Sequence, residues 1–479
     1  MKDFALSVVS LLDQPGVDYG DVRVVLRRTE DFQVKNGTLE AWSDEEELGF
    51  GVRVLVNGFW GFAAANELTA EQAARTAARA VAVARVSAVV GGQKVRLAPQ
   101  RTFVTEVVGP CLEDPFALSS EAKIEHLLAA TEALHHPGVS FTMGSLGAMR
   151  EEKVFASTEG ALISQARTEA GGGIAAVAVV AGDVQTRSYP SAGLGSWTQG
   201  GFETVRALDL VGHAPRLGEE VVALLSAPVC PSGETTLILD ADQMAIQVHE
   251  SVGHPTELDR ILGSEASYAG TSFLTPADRD HLRYGSDLVT IVADATCPGG
   301  LGTAPFDDEG VPAQRVPLVE RGRLTGFLTS RETSPLLEQE SGGAMRASGW
   351  NRIPLIRMTN INLEPREGTL DDLIADTADG ILMSTNKSWS IDDRRLNFHF
   401  AAEIGWEIKN GVLGRMLREC TYTGVTPAFW GGCDAVCGDS EWRLLGTTNC
   451  GKGEPGQTIH VSHGVAPARF RGVSVGQSR

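Results

Sequence analysis

The sequence predicts an α+β protein: an N-terminal antiparallel sheet with helices, a middle α/β region, and a mostly β C-terminal domain. Two observations carry this. Asn-Gly pairs at Asn36-Gly37, Asn57-Gly58 and Asn410-Gly411 each separate short alternating or apolar runs, and each offers the two positive-φ residues that a type I′ hairpin turn needs. Elsewhere the chain shows helix-capping patterns and apolar residues at helical spacing. With 479 residues there is material for two large domains or about three ordinary ones. The punctuation divides the chain at 1–105, 106–230 and 231–479.

In the first region, residues 22–26, 31–34, 39–42, 51–56 and 59–64 read as strands. Thr69-Ala-Glu-Gln72 is a capping-box pattern opening an alanine-rich helix to about Val86, with Gly91-Gly92 as its stop. The second region opens near Cys111 and Pro115. A helix over 119–134 ends at Pro137 and Gly138, strands follow over 140–143, 154–157, 161–166 and 174–180, and helices over 204–211 and 217–225. Pro228, Pro231 and Gly233 punctuate the next boundary. The third region begins with a strand over 235–239, then a helix capped by Asp240 with Gln243 at the reciprocal position. Strands follow over 288–293, 316–320, 324–328, 355–363, 400–408 and 413–419.

Composition excludes several classes of function. The formal charge of −20 and an aromatic share of 6% provide neither the basic footprint nor the stacking surfaces of a nucleic-acid binder. Seven cysteines, an odd number spread thinly, do not form a disulfide framework and point to a reducing compartment. Residues 4–12 are apolar but lack a small-residue cleavage site, so no export signal is expected. The uncharged run 170–182 is interrupted by glycines and falls short of a membrane span. A cytoplasmic protein without membrane or nucleic-acid partners is the expectation.

One motif carries chemistry. In the helix after Asp240, Ala241, Met244, Ala245, Val248 and Val252 form one apolar stripe, and within it lies His249-Glu250-Ser-Val-Gly-His254. This is the zinc-peptidase His-Glu-x-x-His pattern with one residue added, in which two histidines on one helix face chelate a metal and the glutamate is the general base. At spacing i+5 the imidazoles of a regular helix would diverge by roughly 140°. Either the match is accidental or the helix is irregular. Gly253 suits a locally widened turn, because glycine tolerates unusual backbone angles and π-type bulges gather at functional sites.

The stretches His249 to Arg260, Tyr268-Ala-Gly-Thr-Ser-Phe273, Phe306-Asp-Asp-Glu-Gly-Val-Pro312, Asn449-Cys-Gly-Lys-Gly-Glu-Pro-Gly-Gln457 and Arg53-Val-Leu-Val-Asn-Gly-Phe-Trp-Gly-Phe62 together resemble the TldD/PmbA family of metallopeptidases across nearly the whole chain. Because the extended motif is retained, the chain looks like the catalytic TldD type. The resemblance implies Zn2+ held by His249, His254 and Cys450, with Glu250 as general base to a zinc-bound water. It also implies short or unfolded peptide substrates, and a homodimer or a heterodimer with a motif-lacking PmbA/TldE-type paralogue. A thiolate is a good zinc ligand, and Gly451 would let the backbone turn closely around the metal. Glu257, three residues after His254, is the second candidate for third ligand. Its plainer role is a salt bridge to Arg260, which Pro255 disfavours by ending the helix. Cys433 and Cys437, with Cys420, could form a small zinc site, though buried thiols are the favoured reading. His399, His460 and His463 are assigned to surface or core. The same zinc site could serve a non-peptide amide hydrolase, or stabilise an accessory or binding subunit for peptide maturation.

Overall fold

All three Asn-Gly pairs form left-handed turns: φ is 49° and 70° at Asn36-Gly37, 52° and 83° at Asn57-Gly58, and 51° and 76° at Asn410-Gly411. The computed structural model describes residues 1–476 apart from positions 194, 269 and 454. Ala269 and Glu454 of the motifs therefore lie outside the described residues, as do the last three residues of the third region.

Helix α1 (Lys2–Leu12) buries Ala5, Val8 and Leu12, an i, i+3, i+7 stripe that makes the apolar 4–12 stretch a core helix. The strands β1 (Tyr19–Lys35) and β2 (Thr38–Val56) are continuous, where the sequence reading divides each in two. Their polar middles stay extended because opposite charges face across the ladder: Arg28 lies opposite Glu46 and also bonds Asp44 at 2.7 Å. β3 (Phe59–Ala65) and α2 (Ala70–Val90) follow, and the Thr69 hydroxyl accepts from the Gln72 N–H as a cap. Then come β4 (Val104–Val108), α3 (Ser120–Glu132), β5 (Phe141–Ser157), β6 (Leu162–Val180), β7 (Asp183–Tyr189), β8 (Ser196–Gln199), α4 (Phe202–Ala207) and α5 (Leu210–Leu224).

These strands form one eight-stranded sheet in the order β3-β2-β1-β5-β6-β4, with β7 and β8 also on β6. β1 and β5 pair over their length, so the first and middle regions share a sheet. Alternation gives it two characters. Val22 and Val24 pack with α1 and α2, while Asp21 and Arg23 point the other way, toward the third region.

The third region is a closed barrel. Strand β9 (Gly233–Leu239) runs parallel to Asp379–Ile391 and antiparallel to Ala468–Val475; the circuit continues through Cys420–Val425 and Asn397–Lys409, which returns to Asp379–Ile391. A hairpin, Arg443–Lys452 with Gln457–Val465, and a four-stranded sheet flank it. The expected strand at 324–328 shrinks to Arg323–Leu324, and 355–363 splits into Leu355–Ile356 and Ile361–Leu363. In the gap Arg357 is committed instead to the Cys450 and Gln457 carbonyls. Helix α6 (Ala241–Val248) packs against Asp379–Ile391 and the hairpin. Among the described residues no helix is long and apolar enough to cross a membrane.

Candidate metal centre

Asp240 starts α6 from an extended conformation and accepts from the Ala241 N–H at 2.7 Å. The reciprocal contact from Gln243 does not form, since that side chain reaches the Tyr422 hydroxyl instead, at 3.1 Å. The predicted apolar stripe is buried throughout. At His249 the helix widens: His249–Gly253 is a π-helical turn, in which the His254 N–H donates to the His249 carbonyl. That i→i+5 bond places the second histidine over the first, so the rings meet edge-to-face with centroids 4.9 Å apart. The reason for Gly253 differs from the expectation. Its φ of −58° is ordinary, but a Cβ there would lie 2.2 Å from the Met358 sulfur, so the glycine answers a close approach.

Cys450 arrives from the hairpin strand Arg443–Lys452, whose register slips between Thr447 and Cys450. Ligand atoms of His249, His254 and Cys450 all lie within 4.8 Å of one another, and all three side chains are buried. No second such group of three occurs among the described residues. Gly451 is not at positive φ and a Cβ there would touch nothing, so close wrapping of the backbone is not its role.

The tautomers follow from the hydrogen bonds. His254 Nδ1 donates to Glu257 at 3.0 Å. His463 Nδ1 donates to the Ile361 carbonyl at 3.2 Å, and burial holds the ring neutral. Its Nε2 must then accept from His249 Nδ1, at 2.8 Å. Both metal-site rings are left with an Nε2 lone pair. Glu257 stands behind His254, fully buried, and also meets Arg260 at 3.3 Å and Lys452 at 3.5 Å. The ion pair with Arg260 thus forms despite Pro255, because the chain passes through a short 3₁₀ turn and restarts a helix at Leu258. Burial raises the Cys450 thiol, but contact with His254 and the charge of Arg357, whose guanidinium lies 3.5 Å from the sulfur, outweigh it and bring it below the ordinary thiol value.

Glu250 borders a cavity of about 500 Å³, shared with the two histidines, Cys450, Asp242 and Trp389. Its carboxylate takes a 2.8 Å ion pair from Arg395. Burial pushes Glu250 up, yet His254, His249 and Arg395 together hold it below the usual carboxylate range. Sequence reasoning missed Arg395 and His463. No motif marks Arg395, which occupies a left-handed position (φ 61°) in the turn between two barrel strands. The 268–273 stretch braces that turn: Thr271 and Phe273 N–H groups donate to the Asp393 and Arg394 carbonyls, and a Cβ on Gly270 would strike Asp393.

The other residues considered lie elsewhere. Burial pushes Cys433 and Cys437 up to about 12, as suits buried thiols. His460 bonds Glu169 at 2.6 Å. Asp308 and Glu309 of the 306–312 stretch pair with Lys153 and Arg53 on the large sheet.

Two imidazoles and a carboxylate on one helix resemble the His-Glu-x-x-His arrangement of zinc peptidases, here with a thiol from a distant strand beside them. Comparison with known proteins gives the family. Models of the PmbA/TldA metallopeptidase match as domain 1 over 20–84, as central domain over 113–227 and as C-terminal domain over 232–477. A metalloprotease of Methanothermobacter thermautotrophicus is 30% identical, with 96% of each chain covered. A metalloprotease TldD homolog of Haemophilus influenzae is 25% identical over 98% of this chain and 95% of its own. TldE from Thermococcus kodakarensis shares the fold at TM-score 0.71 and 16% identity, covering 100% of both chains. A Thermotoga maritima structure does so at TM-score 0.77 and 18% identity over 99% of each chain. The chain belongs to the TldD/PmbA family of metallopeptidases.

Proposed function

We propose that the chain is a zinc-dependent peptidase of short or unfolded peptides, with the metal held by His249, His254 and Cys450 and with Glu250 as general base. The observation that carries this is the convergence of two Nε2 lone pairs and a thiol of lowered pKa beside an ionised glutamate. That donor set fits zinc, which takes nitrogen and sulfur ligands and leaves a position open in catalytic sites. Bound there, zinc would supply a Lewis acid that polarises the scissile carbonyl and brings a water's pKa to about 7.

The protein's own groups do the rest. Glu250, kept ionised and aimed by Arg395, takes the proton of the attacking water and returns it to the leaving amine. A thiolate ligand donates more charge than a third imidazole would, which favours slow turnover. Strand addition by a peptide falls to the hairpin strand at Thr447 to Cys450, which lines the cavity where the ladder slips. The reading includes assembly as a dimer, with itself or with a PmbA/TldE-type partner, in a cytoplasmic setting. The test is metal analysis with peptide cleavage for wild type, Glu250→Gln and Cys450→Ala. Wild type should carry zinc and cleave, Glu250→Gln should keep zinc and lose cleavage, and Cys450→Ala should lose both. A metal-free wild type, or an active Glu250→Gln, would overturn the reading.

A further inference from the structure

A second cavity, of about 290 Å³, lies where the large sheet meets the third region. On the sheet side its wall is a ladder across three neighbouring strands: Arg27 of β1 lies opposite Glu151 of β5, which lies opposite Arg167 of β6. Glu151 pairs with both arginines. Lys153 stands two residues along the same face and bonds Asp308. From the other side comes Arg346. Its hydrogen bonds go to two neutral acceptors, the Met358 and Leu301 carbonyls, at 3.0 and 3.2 Å. Among the described residues no carboxylate comes within 4.0 Å of it.

The lining carries four cationic side chains beside the carboxylates Glu151, Asp307 and Asp308, and Arg346 is the one of the four without a salt bridge among the described residues. This occurs in a protein of net charge −20, where general electrostatics repel anions and only a built site would collect one. Of the lining carboxylates, Asp307 is pushed up to about 8 by burial and by Glu309, and accepts from the backbone N–H groups of Glu309, Val311 and Met345. Burial and the Arg167 charge push Arg346 down to about 10, against the opposing pull of Glu169 and Asp308. Guanidinium groups suit carboxylate and phosphate oxygens, which they can grip through two parallel N–H donors. The rim is different in character: Val107, Val108 and Pro110 border it, and Val108 is 72% exposed. A ligand would place its charge inward and an apolar part toward β4.

We propose that this cavity binds a small molecule bearing a phosphate or dicarboxylate head group, at a place separate from the metal centre. The hairpin strand Gln457–Val465 stands between the two, with Thr458 and His460 on the cavity and His463 on the metal side.

The experiment is calorimetric titration of the full-length protein with inorganic phosphate and, separately, with succinate, at fixed ionic strength. At least one should saturate, and which one does names the head group. Arg346→Gln should weaken that binding about tenfold or more, the loss of one charge-assisted hydrogen bond. Val108→Glu, an exposed change that leaves the core alone, should weaken it by about two- to fivefold through repulsion at the mouth. Glu250→Gln, at the metal centre, should bind as wild type does. Absence of saturable binding of both ions would overturn the proposal, and so would unchanged affinity in Arg346→Gln and Val108→Glu.

Discussion

At the scale of single residues, the proposed metal centre draws on groups outside its three candidate ligands. Glu257 and His463 fix which nitrogen of each candidate ligand ring carries its proton. Replacing Glu257 by Gln keeps the shape but removes the charge that holds the His254 Nδ1 proton. Metal affinity should fall about 10- to 100-fold, measured by competition with a chelator. His463→Gln can still offer an oxygen to His249, whereas His463→Leu cannot, so the leucine variant should lose affinity by a similar factor and the glutamine variant less. Arg395 affects the pH profile. Its charge helps to depress Glu250, so Arg395→Ala should raise the Glu250 pKa and move the acid limb of kcat/KM to higher pH. An acid limb that stays in place would show that Arg395 does not tune the base. His249, Glu250 and His254 were legible because their spacing is local. His463 was not, since it meets His249 only through a strand 214 residues away, and a histidine in an alternating strand carries no mark of which face is functional.

At the scale of elements, the extra residue between the histidines makes sense only with the π-turn. A regular helix could not converge the two rings, and the His254-to-His249 backbone bond restores the alignment by absorbing one residue. The irregularity was readable from spacing alone; its local cause was not, because the pressure on Gly253 comes from Met358, more than a hundred residues on. Gly253→Ala should cost about 1–3 kcal/mol by overpacking. In a Met358→Ala background the same change should cost clearly less, a non-additivity that a double-mutant cycle in denaturant would measure. Additive costs would mean that the glycine is needed for another reason. The same contrast runs through the fold. Hairpin turns and capped helices announce themselves locally, whereas the polar middles of β1 and β2 look like loops until their charged partners across the ladder are known.

At the scale of the whole molecule, the large sheet and the barrel region are joined through buried charges. Arg53 links Asp21 to Glu309, and Lys153 meets Asp308, so two of the family-like stretches, 53–62 and 306–312, serve the seam. At another point of that seam Glu403, on the barrel strand Asn397–Lys409, accepts from the Ser188 N–H and hydroxyl and pairs with Arg187, both on β7. Those contacts favour its ionised form, but burial wins and pushes the carboxyl up to about 7, from the ordinary value of 4.5. The sign of the consequence follows by linkage. Below the unfolded value both states hold the proton; between about 4.5 and 7 the folded state binds more, so stability falls as pH rises and levels off above the folded value. The span is worth about 3 kcal/mol. Glu403→Gln removes the titration while keeping the side chain's shape. Denaturant unfolding of both proteins from pH 4 to 8 should show the wild type losing stability relative to the variant across that window, with parallel curves on either side. Curves that run parallel throughout would mean that Glu403 is ionised in the seam, and that the junction is held by a charge pair rather than by a protonated carboxyl.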